Sequence, residues 1–90
     1  MINIKKIDKD NFVVLIKKNT ETVHRVFFPD EFYLKFKTNK SKENILEMSF
    51  EFLLKRESNT MIFTKFNLEE INNYFPEYFK TFNITSKNES

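Results

Sequence analysis

Two hydrophobic periods alternate along the chain. Residues 2–7, 12–17 and 22–28 carry apolar side chains at strand spacing and are rich in Val, Ile and Phe. They are separated by the polar clusters Asp8-Lys9-Asp10-Asn11 and Lys18-Asn19-Thr20-Glu21, whose short side chains bond nearby backbone and tolerate turns. The pattern predicts a three-stranded antiparallel meander. Phe12 to Ile16 is apolar on both faces, so this stretch belongs in a central strand or in one covered on both sides. From residue 41 the period changes. At about 100° per residue, Leu46, Phe50, Leu53 and Leu54 fall on one side of a helix, and Ile45, Met48 and Phe52 on another. Only Asn44, Glu47, Glu51 and Lys55 form a polar strip, so a helix over 41–57 must be covered on two sides.

The punctuation fits this reading. Pro29 lacks the N–H that a ladder needs and ends the third strand. Asp30 and Glu31 then open a short helix that Phe32, Tyr33 and Phe36 continue. Ser41 is placed to cap the long helix. Residues 61–66 read equally as a short strand or a helical turn. Asn67 with Glu70 forms a capping box, Phe66 and Ile71 occupy the staple positions, and Pro76 limits the helix that follows. The expected fold is α+β: a three-stranded antiparallel meander followed by three helices, with 41–57 as the central packing element. Residues 1–82 form one globular domain, and 83–90 a frayed polar tail.

Composition narrows the function classes. The chain has no glycine, alanine or cysteine, while Lys, Asn, Ile and Phe abound. That joint skew matches AT-rich codons, so the lysine excess is weak support for a nucleic-acid partner. Without cysteine there is no disulfide, thiolate nucleophile or Cys-bound metal. Without glycine there is no phosphate cradle of the P-loop or dinucleotide-binding kind. No apolar run approaches the roughly 20 residues of a membrane span, and no secretory signal opens the chain. A cytoplasmic location is the default expectation. Net charge is +2, divided unevenly: ten Lys and Arg against five acids over 1–42, and five against eight over 43–90.

Little points to catalysis. His24 is the only histidine and lies inside a predicted strand. The acid pairs Asp30-Glu31 and Glu69-Glu70 sit in first turns of predicted helices, where carboxylates are stabilising for local reasons. No enzyme activity, cofactor or metal is expected. The aromatic content points instead to contact with another protein. Twelve Phe and three Tyr exceed what one small core readily encloses. Phe27, Tyr33, Tyr74, Tyr78 and Phe79 are the residues expected to be left over for an interface. Arg56 and Glu57 leave the polar strip of the long helix, and they are either a structural pair or docking residues. The expected partner is a second copy, as a homodimer, or an unidentified protein; no membrane partner is expected.

Two resemblances accompany this reading. Phe50-Glu51-Phe52-Leu53-Leu54-Lys55-Arg56-Glu57, followed by Ile71-Asn72-Asn73-Tyr74-Phe75-Pro76-Glu77-Tyr78, resembles a small family of uncharacterised bacterial proteins. Its members run a Phe-Glu-Phe-Leu-Leu-x-Arg-Glu helix into an Ile-x-x-Tyr-Phe-Pro-Glu-Tyr ending, with a Pro often standing where this chain has Ser58. The resemblance implies no activity. Residues 22–57 resemble ribbon-helix-helix DNA-binding proteins in their order of parts. That resemblance implies a dimer whose paired strands enter the major groove with Val23, Arg25 and Phe27 facing the bases. Of these only Arg25 has a donor fork suited to guanine. The two readings carried forward are a non-enzymatic protein-interaction module and, as the alternative, such a DNA-binding dimer.

Overall fold

The computed structural model describes residues 1–84. Three strands form the meander: β1 (Ile2–Lys6), β2 (Asn11–Lys17) and β3 (Glu21–Phe27), each antiparallel to the next. Asp8 closes the first turn by accepting from the backbone N–H groups of Asp10 and Asn11, both at 2.9 Å. A fourth strand, β4 (Lys65–Asn67), joins the far side of β3 in parallel. The sheet is therefore mixed, in the order β1-β2-β3-β4, and the expected purely antiparallel sheet of three strands is corrected on this point. The ambiguity over residues 61–66 resolves into both forms: Met61 ends a 3₁₀ turn, Asn59–Met61, while Lys65 and Phe66 are in strand.

Alternation decides which face of the sheet is core. Phe12, Val14 and Ile16 of β2 and His24 and Val26 of β3 are buried, with Phe66 of β4 beside Val26. The intervening residues point outward. The doubly apolar stretch is indeed central, between β1 and β3, but among the described residues it is covered on one face only: Val13 and Leu15 are half-buried.

The long helix α2 (Lys42–Leu54) lies across the inner face. Ser41 caps it, accepting from the Asn44 N–H at 3.1 Å. Phe50, fully buried, sits between the His24 and Phe66 rings at 5.6 and 6.0 Å between centroids. Burying a side chain of this size contributes roughly 1.5–3 kcal/mol. Phe52 faces a second cluster, with Phe75, Tyr78 and Phe82 around its ring. The helix is thus covered on two sides. Met48, expected on a buried side, is 37% exposed because it borders the polar strip. Ser49 is fully buried between the two apolar sides.

The remaining helices are single turns. Helix α1 (Asp30–Tyr33) tightens into a 3₁₀ turn, Leu34–Phe36, and ends at Lys37 with φ 51°. The predicted helix after Asn67 opens as a 3₁₀ turn, Leu68–Glu70, with the capping box formed, and continues as α3 (Ile71–Tyr74). Phe75, before Pro76, takes φ −132° and ψ 84°, outside helical geometry as the proline's ring demands. Helix α4 (Glu77–Thr81) follows. Ile84 is buried against the core, so the polar tail does not begin at 83; residues 85–90 lie outside the described part. No helix among the described residues is long and apolar enough to cross a membrane.

Candidate functional site

Most of the aromatic surplus is absorbed by the core. Tyr78 is fully buried, its hydroxyl 2.8 Å from Ser49 Oγ, so it is removed from the expected interaction surface. Burial pushes its phenol pKa up, against the opposing effect of the Ser49 hydrogen bond. Phe79 is half-buried and stacked on Phe32. Tyr33 is half-buried, with its ring edge-on to Phe28 and its hydroxyl donating to the Lys40 carbonyl at 2.7 Å. Only Phe27, Phe63 and Tyr74 among the aromatics remain exposed, at 41%, 52% and 60%. Phe63 was not singled out in the sequence. Its segment was ambiguous in type, so the face it presents was undefined.

Two of these three residues stand together. Phe63 and Tyr74 meet edge-to-face at 5.3 Å and form the lip of a cleft of about 310 Å³. Leu53, Ile62, Phe66, Ile71 and Phe75 supply its apolar walls, and Glu57 and Glu70 are its only charged groups among the described residues. Drug-sized ligands occupy pockets of roughly 300–1,000 Å³. A cleft at the bottom of that range is filled by one or two inserted side chains.

The walls are held from several directions. On one side the chain leaves α2 through a turn in which the N–H groups of Arg56 and Glu57 both donate to the Leu53 carbonyl at 2.9 Å. Asn59 is buried and donates to the Thr20 carbonyl at 2.7 Å and to Thr22 Oγ1 at 2.9 Å. His24, fully buried, has Nε2 2.9 Å from the same Thr22 oxygen and Nδ1 2.7 Å from the Phe63 carbonyl. A carbonyl only accepts, so Nδ1 donates to it, and both ring nitrogens have partners. The only histidine thus fastens the Phe63 lip to β3. On the other side Glu70 accepts from the Asn67 N–H at 2.8 Å, which fixes the start of the turn leading into α3.

The expected Arg56 and Glu57 pair separates into two roles. Arg56 donates through Nε to Glu77 at 2.9 Å and through Nη1 to the Phe52 carbonyl at 2.9 Å. Its guanidinium lies 3.5 Å over the Phe52 ring and holds α4 against α2. That hydrogen bond lowers the pKa of the Glu77 carboxyl. Glu57 instead lines the cleft and, on its other side, a hollow that Lys17 and Lys18 also border. Among the described residues it forms no ion pair and no side-chain hydrogen bond. Burial beside apolar side chains raises its carboxyl pKa above the usual glutamate value.

Phe27 and Arg25 lie elsewhere, on the outer face of the sheet with Val23, as their alternation requires. β3 pairs with β2 along its whole length and with β4 over Arg25 to Phe27. It is not the free strand that pairing across a ribbon-helix-helix dimer requires. No family model, curated protein or solved structure matches the chain.

Proposed function

We propose that this protein is a non-enzymatic interaction module whose cleft receives an apolar side chain of a partner protein, flanked by a lysine or arginine. One observation carries the reading. Glu57 sits at an apolar cleft without a cation among the described residues, beneath the exposed Phe63 and Tyr74 rings. An exposed aromatic pair beside an apolar hollow is the form of an interface anchor site. A partly desolvated carboxylate gains most from a cation delivered by the incoming chain, because their attraction is stronger away from bulk water.

The partner is either another protein or a second copy, the homodimer expected from the aromatic content. Titration of the ¹⁵N-labelled protein with a short Leu-Lys peptide tests the cleft. Amide shifts should be confined to Glu57, Ile62, Phe63 and residues 71–75. Shifts spread over the surface, or none at millimolar peptide, would remove the proposal. Light scattering after gel filtration tests the second copy directly.

A further inference from the structure

The outer face of the sheet carries an unmatched row of cations. Lys5 pairs with Val13, Val13 with Arg25, and Arg25 with Lys65, so these four side chains cross β1 to β4 in a single line. Strands lie about 4.8 Å apart, which sets Arg25 and Lys65 on adjacent strands as direct neighbours. Like charges directly opposite one another are destabilising. Among the described residues, none of Lys5, Arg25 and Lys65 has an ion-pair partner, while Lys17 and Glu21 at the far end of the face do pair, at 3.9 Å. Codon bias explains how many lysines the chain has. It does not explain an arginine and two lysines in register with no acid between them.

Apolar residues flank the cations on the inner strands, with Asn3, Asn11 and Asn67 beside them on the same rows. Leu15 and Val23 are cross-strand neighbours on one side, with Val23 49% exposed, and Phe27 stands on the other at 41%. Among the described residues no element covers this face. We propose that it docks an amphipathic helix of a partner protein that carries carboxylates beside its apolar residues. A helix is the element that completes a layer on the open face of a sheet. Val13, Leu15, Val23 and Phe27 meet its apolar side, while Lys5, Arg25 and Lys65 meet its acids. Single-stranded nucleic acid fits less well, because it stacks its bases on aromatic platforms, and this face offers one aromatic among aliphatic side chains. A second copy docking through the same face would set cation row against cation row. The proposal is independent of the cleft, which shares only β4 with this face, through Phe66 on the opposite side of the strand, and has the opposite charge.

The test uses fluorescence anisotropy of the whole chain with three labelled probes: a helical Leu-Glu peptide, the same helix with Lys for Glu, and an oligothymidylate. The Leu-Glu helix should bind. Arg25→Glu and Lys65→Glu should each weaken it about tenfold, as expected for loss of a cross-interface charge pair. Tyr74→Ala and Glu57→Gln, both in the cleft, should leave it unchanged. Because Arg25→Glu converts a like-charge neighbour of Lys65 into an opposite one, that variant should also melt at a higher temperature than the parent, which separates lost binding from lost folding. No binding of the Leu-Glu helix, equal binding of the Lys helix to the Tyr74→Ala variant in which the cleft is disabled, tighter binding of the oligothymidylate, or loss of Leu-Glu binding through Tyr74→Ala each overturns the proposal.

Discussion

Ser49 Oγ and the Tyr78 hydroxyl meet at 2.8 Å inside the core, with no exposure of either residue. Ser49 occupies the angle between the two apolar sides of α2, and its small side chain lets the Tyr78 ring approach the helix. The pair therefore joins α4 to the central helix through one buried polar contact.

Removing the two hydroxyls should not be symmetric. Ser49→Ala leaves the Tyr78 hydroxyl buried without a partner, which costs about 1–3 kcal/mol. In Tyr78→Phe the Ser49 hydroxyl turns back to a carbonyl one helical turn earlier, and the cost falls to about 1 kcal/mol. The double variant should match Tyr78→Phe rather than the sum, because contacting residues do not act additively. Urea denaturation of the three variants measures this; an additive double variant would mean the contact does not form.

The sequence exposed the elements whose signals are local. Ser41, Asn67 with Glu70, Pro29 and Pro76 mark helix ends through neighbouring backbone, and each stands where its signal placed it. β4 was not legible as a pairing, because three residues carry too little pattern to announce a parallel partner far away in sequence. Glu57 was legible as a residue off the polar strip, and Tyr74 as an aromatic near a helix end. That they line one cleft with Phe63 depends on His24 and Asn59 fastening the intervening segment to β3, which no periodicity reports. Tyr78 was misplaced because the serine opposite it reads as a gap in an apolar pattern rather than as its hydrogen-bond partner.

Lys42 makes a second contact that no periodicity in the sequence reports. Its ammonium donates to the Phe28 carbonyl at 2.7 Å and the Lys9 carbonyl at 2.9 Å, and pairs with Asp30 at 2.8 Å and Asp10 at 3.6 Å. The side chain is only 11% exposed. It clasps the β1–β2 turn and the start of α1 to α2. Lys42→Met keeps the stem and deletes the charge, and should cost about 2–3 kcal/mol at neutral pH. The hydrogen bond from Lys42 depresses the pKa of the Asp30 carboxyl. Its share of the stability is therefore present above the ordinary aspartate range and lost as pH falls through the depressed value. The gap between parent and variant should narrow in strong acid, which denaturation across pH would show.

Lys37 takes the left-handed conformation that ends the turn after α1, with φ 51°, in a chain that has no glycine to put there. For an L-residue with a Cβ that conformation costs roughly 1–2 kcal/mol. Lys37→Gly removes the clash and loosens the unfolded chain, two effects of opposite sign. The net gain should be about 0.5–1 kcal/mol. A rise in the thermal midpoint of the variant checks this, and a fall would place Lys37 in another backbone region.

Glu57 ties stability and docking to pH with opposite signs. Burial raises its carboxyl pKa above the ordinary glutamate value in the folded chain. Between the ordinary and the raised values the folded state holds more protons than the unfolded state, so stability falls as pH rises through that window. At neutral pH the ionised Glu57 is a net burden, and Glu57→Gln should melt at a higher temperature than the parent. In acid below the ordinary glutamate range, where the parent is protonated in both states, the two should converge. Docking runs the other way, because a cationic side chain needs the ionised form. Affinity for a Leu-Lys peptide should drop as pH falls through the raised value, and Glu57→Gln should abolish that dependence. Self-association that placed two copies of Glu57 together would strengthen in acid instead, so the same titration separates a second copy from a basic partner. Equal melting of parent and Glu57→Gln at neutral pH would mean that the carboxylate is already matched by a cation.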